Sequence, residues 1–184
     1  MQVSIIALAA LIGCGESPAP APAPAPEPVA KEAPPAPAPA PAPAAAAEQP
    51  NVVTVEGDVA TVALEGTDQM KFNTKLIEVP AGSTVKLNLK HVGKLPVAAM
   101  GHNFVLLKQG TDGAKFATAA VTAKDNGYIP EAMKGDVIAN TGLVGGGEEV
   151  SIEFPAPEAG DYVFVCTFPG HYAMMNGTFR VTEG

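Results

Sequence analysis

Ten residues near the C-terminus, Cys166-Thr167-Phe168-Pro169-Gly170-His171-Tyr172-Ala173-Met174-Met175, concentrate a thiol, an imidazole and two thioethers. A second imidazole stands far upstream, in Met100-Gly101-His102-Asn103. Sulfur donors are soft and suit Cu(I), whereas imidazole suits Cu(II). Two histidines, one cysteine and a weak, distant methionine therefore make the trigonal donor set of a blue-copper electron-transfer centre. A rigid compromise between the two preferences keeps reorganisation small, and it leaves no position open for a substrate. Pro169-Gly170 forms the tight loop that turns the His171 imidazole back towards the Cys166 sulfur. The remaining histidine, His91, has no ligand partner of this kind and reads as a structural or weakly titrating residue near the site. One spare imidazole is too few for the second, histidine-rich copper site of a nitrite reductase, so no enzyme activity and no catalytic residues are expected.

The donors must be carried by strands. Val62 and Leu64 alternate with polar neighbours, Phe72 to Val79 alternates less regularly, and Val85-Lys86-Leu87-Asn88-Leu89-Lys90 repeats with a period of two. Further short apolar or alternating runs lie at Phe104 to Leu107, Val137 to Ala139, Val150 to Phe154, Tyr162 to Cys166 and Gly177 to Val181. Pro80-Ala81-Gly82, Gly93-Lys94-Leu95-Pro96, Gly145-Gly146-Gly147 and Pro157-Glu158-Ala159-Gly160 punctuate them. Seven to eight strands at this spacing predict an all-β, antiparallel sandwich. One short helix interrupts it: Phe116, Ala119, Ala120 and Ala123 fall at helical spacing between Asp112 and Lys124, with Asp112 as the cap.

Ahead of this domain the composition changes. Of 19 prolines, 13 fall between Pro18 and Pro50, interleaved with alanine. Repeated X-Pro removes backbone donors and favours extended backbone, which predicts a disordered, polyproline-like spacer at about 3.1 Å per residue. Before it, an apolar stretch ends in Leu11-Ile12-Gly13-Cys14, which resembles the lipobox of bacterial lipoproteins. The expected division is a signal peptide over 1–13, a lipidated Cys14 and Ala/Pro-rich linker over 14–52, and the domain over 53–184. Two or three palmitate-type acyl chains, at about 0.8 kcal/mol per buried CH₂, would anchor the chain firmly. Gly15, in place of aspartate, points to the outer rather than the inner membrane. The net charge of −8 carries no basic footprint, so no nucleic-acid partner is expected.

The loop Cys-Thr-Phe-Pro-Gly-His-x-Ala-x-Met, with its C-x4-H-x3-M spacing, resembles that of the azurins, a cupredoxin family. So do Asp68-Gln69-Met70-Lys71-Phe72-Asn73, His91-x-Gly93-x-Leu95-Pro96 and Met100-Gly101-His102-Asn103. The lipid-modified azurins of bacterial outer membranes are the most similar in layout. The resemblance implies a Greek-key cupredoxin sandwich holding one type 1 copper. It makes His102, Cys166 and His171 equatorial ligands, Met175 rather than Met174 the axial thioether, and the Gly101 carbonyl the weak opposite contact. It further implies that the amides of Asn103 and Phe168 donate to the Cys166 sulfur and that Asn103 ties the two ligand loops together through Thr167. An apolar docking patch of Met70, Leu95, Ala99, Met100, Phe168, Pro169, Ala173 and Met174 would surround an exposed edge of His171. No cysteine occurs between Gly15 and Val165, so the azurin disulfide is absent. Pairing Cys14 with Cys166 would consume both the lipid site and the ligand, and is rejected. Phe104 stands where azurins carry a buried tryptophan, and Asn140 where some carry an exposed histidine.

The expected function is then one-electron transfer by a monomer in the bacterial cell envelope, with its domain facing the periplasm or the cell surface. The partners implied are c-type cytochromes, a copper nitrite reductase, a peroxidase or a terminal oxidase, with the membrane reached through the lipid. The alternative is a surface or periplasmic copper-binding interaction module without a redox role.

Overall fold

The structure is a computed structural model, and it describes residues 52–183. The signal peptide, Cys14 and the linker expected ahead of Val52 lie outside the described residues. The domain consists of two five-stranded sheets packed face to face. The first holds β1 (Val53–Glu56), β2 (Val59–Thr67), β5 (Thr84–His91) and β8 (Glu149–Pro155) in that order, with β3 (Lys71–Phe72) paired to the end of β2. The second runs β4 (Leu76–Pro80), β10 (Asn176–Thr182), β9 (Gly160–Val165), β6 (Val105–Leu107) and β7 (Val137–Asn140).

The period-two pattern decides which side chains go inside. On β2, Ala60, Val62 and Leu64 face the core, while Thr61, Ala63 and Glu65 face solvent. On β5 the same alternation buries Val85, Leu87 and Leu89 and places His91 last in the buried row. His91 is therefore inside because of its register, not because imidazole prefers an apolar core. Gly66 lies opposite it on β2.

Two pairings differ from the antiparallel expectation. β2 runs parallel to β5, and β4 runs parallel to β10. Alternation fixes facing but carries no information on direction. The single strand read from Phe72 to Val79 is also two. Phe72 pairs with Gly66 in the first sheet, and the chain crosses over Asn73-Thr74-Lys75 to enter the second at Leu76. Asn73 anchors the crossing: its Oδ1 accepts from Glu65 N at 2.9 Å, and its own N–H donates to Glu65 O at 3.0 Å.

The expected helix is α2, Gly113–Ala120, following the one-turn α1, Val97–Met100. Asp112 Oδ1 accepts from Ala114 N and Lys115 N at 2.9 and 3.0 Å, satisfying two of the free amides at the helix start. The helix stops three residues short of the expected reach. The β-branched pair Val121-Thr122 follows it, and the chain tightens into 3₁₀ turns at Lys124–Asn126 and Glu131–Asp136. Below α2 a small cluster of Val105, Leu107, Phe116, Ile129 and Val165 supports the outer face of the second sheet.

The main core lies between the sheets, around Leu64, Ile77, Leu87, Phe104, Phe164 and Phe179. Phe164 is its hub, with ring centroids 5.7 Å from Phe72 and 5.6 Å from Phe104. It precedes Cys166 by two residues, so it anchors the strand that delivers the thiol. Phe164→Ala is expected to lower the unfolding free energy by about 3–5 kcal/mol, the range for emptying a buried aromatic site, as read by chemical denaturation of the metal-free protein.

Candidate metal centre

Three chain segments meet at one end of the sandwich. The hairpin joining β9 to β10 carries Cys166, His171 and Met175, and it is closed by Cys166 N–H donating to Met175 O at 2.8 Å. His171 N–H donates to Phe168 O at 3.0 Å and Met175 N–H to His171 O at 2.8 Å, while Gly170 takes a left-handed φ of 83°. Glycine accepts that conformation without strain. The second segment delivers His102, which bridges to Val144 through paired backbone bonds of 3.0 and 2.9 Å. The third is the end of β2, with Thr67 and Asp68.

These segments bring the side chains of His102, Cys166 and His171 together, with donor atoms all within 4.8 Å of one another. Nδ1 of His102 is 3.2 Å from Nδ1 of His171, which is 3.7 Å from Cys166 Sγ. His102 and Cys166 are fully buried, and His171 is 3 % exposed. The edge of His171 expected at the surface is thus only a sliver. Orientation follows from the atoms behind each donor. His102 Nε2 lies 2.9 Å from Thr67 O, so that nitrogen carries the proton and Nδ1 presents its lone pair to the site. The ring packs over Gly66, where a Cβ would lie 2.6 Å from its Cδ2.

Met175 is fully buried in the main core and joins the cluster through its backbone. Gly101 O is 4.0 Å from Cys166 Sγ. The backbone amides of Asn103 and Phe168 lie near enough to the sulfur to favour its charged form. The Asn103 side chain receives Thr167 N–H at 2.8 Å and donates to Thr167 Oγ1 at 2.8 Å, joining the two ligand loops. Cys166 is a free thiol.

His91 is adjacent, its ring centroid 4.3 Å from that of His102. Its Nε2 is 3.1 Å from Asp68 Oδ1, while its buried Nδ1 has no hydrogen-bond partner. Asp68 also accepts from Lys94 N at 2.8 Å and Leu95 N at 3.2 Å, and these amides, led by Lys94, hold its carboxyl below the usual range. A Cβ at Gly93 would collide with this carboxylate. Asp68 thus fastens the loop that bears Leu95, a role that its place in Asp-Gln-Met-Lys-Phe-Asn did not disclose.

Of the expected surface patch, Leu95 (41 % exposed), Ala99, Ala173 and Met174 (45 % exposed) are open to solvent. Met70, Met100, Phe168 and Pro169 are partly buried. Phe168 packs on His171, with centroids 4.7 Å apart, and against Tyr128 at 5.4 Å. Val97, 37 % exposed, was missed by the sequence reading; it opens the one-turn helix beside Leu95.

The electrostatics are those of a neutral pocket. Burial pushes the Cys166 thiol up to about 11, against the lowering effect of the Asn103 and Phe168 amides. Burial, with His102 and His91 nearby, pushes His171 down to about 4. His102 is lowered chiefly by burial, partly offset by Thr67 O. A thiol and two neutral imidazoles, with no carboxylate among them, fit a borderline-soft cation and not a hard one such as Mg²⁺ or Ca²⁺.

Comparison with known proteins points the same way. Residues 58–182 match the family described as copper binding proteins, plastocyanin/azurin family. The chain is 44% identical over 126 residues to azurin of Alcaligenes faecalis, covering 65% of this chain and 96% of that protein. It is 44% identical over 124 residues to outer membrane protein H.8 of Neisseria gonorrhoeae, covering 65% of this chain and 66% of that one. The solved azurin Az-iso2 of Methylomonas sp. strain J superposes with a TM-score of 0.60 at 34% identity, over 67% of this chain and 98% of that one.

The pocket's charge state makes two quantities pH-dependent. Metal uptake at pH 7 must expel the thiol proton, so one proton should be released per ion, and apparent affinity should rise about tenfold per pH unit between pH 7 and 10. Potentiometric titration during metal addition reads both. In the metal-free protein, His171 binds its proton less readily when folded (about 4) than at its ordinary value of 6.5. The unfolded chain then holds more protons between those values, and stability should fall as pH drops from 6.5 towards 4. The slope is at most about 1.4 kcal/mol per unit for that residue, read by urea denaturation.

Proposed function

This chain belongs to the plastocyanin/azurin family of copper-binding proteins, and from that premise we propose that it is a lipid-tethered carrier passing single electrons between respiratory redox proteins of the bacterial envelope. The observation that carries the reading is the closure of the site: three donors almost wholly buried, directly beneath an apolar rim. Bound copper supplies a reversible one-electron couple between Cu(II) and Cu(I). The chain's residues do the rest.

His102 Nδ1, Cys166 Sγ and His171 Nδ1 would hold the ion, with the Met175 thioether and the Gly101 carbonyl as weaker donors. The Asn103 and Phe168 amides, near the sulfur, draw charge from it and keep it from moving when the charge of the site changes. Asn103 and Thr167 keep the two loops in register. Among the described residues, the buried groups of the pocket are taken up as donors to the ion, which supports the carrier reading.

Electrons leave through the His171 imidazole, whose narrow exposed edge lies among Leu95, Met100, Phe168, Pro169, Ala173 and Met174. An apolar rim of this size suits brief docking, where dissociation must be fast and the interface small. c-type cytochromes, a copper nitrite reductase, a peroxidase or a terminal oxidase have the chemistry to be partners. The domain acts as a monomer over 53–184, at the end of a spacer that begins at a lipidated Cys14. The apolar run into Cys14 supports the anchor, as does a 44%-identical relative described as an outer membrane protein.

The test is stopped-flow reduction of the copper-loaded full chain by a reduced c-type cytochrome. Second-order electron transfer is expected, and Leu95→Asp or Met174→Asp should slow it about tenfold or more, as desolvating a charge at a docking face requires. The visible spectrum of these variants should stay unchanged. A copper-loaded chain that exchanges no electrons with any such donor would favour an interaction module instead. For the anchor, Cys14→Ala should abolish palmitate labelling and release the chain from the membrane fraction, and release without loss of label would contradict acylation at this residue.

A further inference from the structure

A methionine side chain turns about three bonds, which makes Met175 the most adaptable of the four side chains assigned to the ion. The main core packs around it, and the backbone on either side sets where it enters that core. On one side the hairpin bonds to Cys166 and His171 do this. The other constraint comes from 100 positions earlier in the chain, in the crossing between β3 and β4.

There Lys75 Nζ donates to Met174 O at 2.5 Å and to Asn176 O at 2.8 Å. These carbonyls belong to the two neighbours of Met175. The main chain of Lys75 holds the same stretch, since its carbonyl accepts from Thr178 N at 2.8 Å. Gly177 permits the approach, because a Cβ there would lie 2.6 Å from Lys75 O and strike the Phe164 ring. One residue therefore grips the start of β10 with both its ammonium and its peptide. Hydrogen bonds from a charged donor are about twice as strong as neutral ones, and a compact ammonium can lodge between two carbonyls where a planar guanidinium has to splay. Partial burial lowers the pKa of this lysine, as expected of an ammonium that has exchanged water for carbonyls.

We infer that Lys75 is a positioning residue for the copper centre: by clamping the carbonyls that flank Met175, it sets where the thioether points. The inference rests on the reading of Met175 as axial donor. Sequence gave no hint of it, because a solvent-facing lysine in a loop is ordinarily just a solvated charge.

The test uses the full chain with ¹³C-methyl-labelled methionine. In the metal-free wild type, Met175 should give one sharp methyl resonance. In Lys75→Met, which keeps the stem but loses donors and charge, that resonance should shift and its width should roughly double as the side chain samples more rotamers. The other methionine resonances should hold, showing an intact fold. In the Cu(II) form, the EPR spectrum of Lys75→Met should change in rhombicity, and Lys75→Arg should restore it in part. Should Lys75→Met not fold, Lys75→Gln, which keeps one donor, is read in the same way. An unchanged methyl resonance and EPR spectrum, with only a lowered reduction potential, would overturn the inference and leave Lys75 as a remote charge. A wild-type chain without a thiolate-copper spectrum would instead defeat the axial reading, while the metal-free methyl resonance would still report on the clamp.

Discussion

A thiol with no exposed surface, 3.7 Å from the His171 nitrogen and within 4.8 Å of that of His102, is the constraint on which the rest of this protein depends. Burial holds Cys166 protonated and both ligand histidines neutral in the metal-free protein. Such a pocket has no charge to stabilise and no carboxylate to repel. It is equally a pocket in which a metal ion finds polarizable donors already aimed. The surrounding fold has to bring these groups from residues 102 and 166–171 to one place without the help of the ion.

The sandwich does so by ending strands at the right point. β9 terminates one residue before Cys166, and β10 begins one residue after Met175, so the ligand loop is a hairpin whose width is set by strand pairing. His102 is held by its bridge to Val144 and by the carbonyl of Thr67 at the end of β2. Because β2 pairs with β5 in a defined register, Gly66, His91 and His102 stack in one layer. Asp68 then fastens the Leu95 loop to that layer. The rim and the pocket are thus mechanically continuous, which suits a centre whose charge changes while its geometry should not.

Much of this was legible beforehand, for identifiable reasons. The ligand loop is local, and a thiol, an imidazole and thioethers within ten residues limit the chemistry severely. Strands with a clean alternation, such as Val85 to Lys90, show their buried face directly. What the sequence hid is non-local. Nothing in Phe72 to Val79 marks the crossing between sheets at Asn73-Thr74-Lys75, because Asn73 acts through Glu65. Strand direction is equally silent in β2 and β5. Lys75 and Asp68 act through backbone groups of distant segments, and a backbone amide or carbonyl has no signature in side-chain pattern.

The most direct measurement is the visible and EPR spectrum of the metal-free full chain after one equivalent of Cu(II). The account predicts an intense band near about 600 nm with narrow copper hyperfine splitting, bleached by ascorbate and restored by oxidant, and lost in Cys166→Ser. A chain that takes up no copper, or that gives only a weak band insensitive to Cys166→Ser, would contradict it.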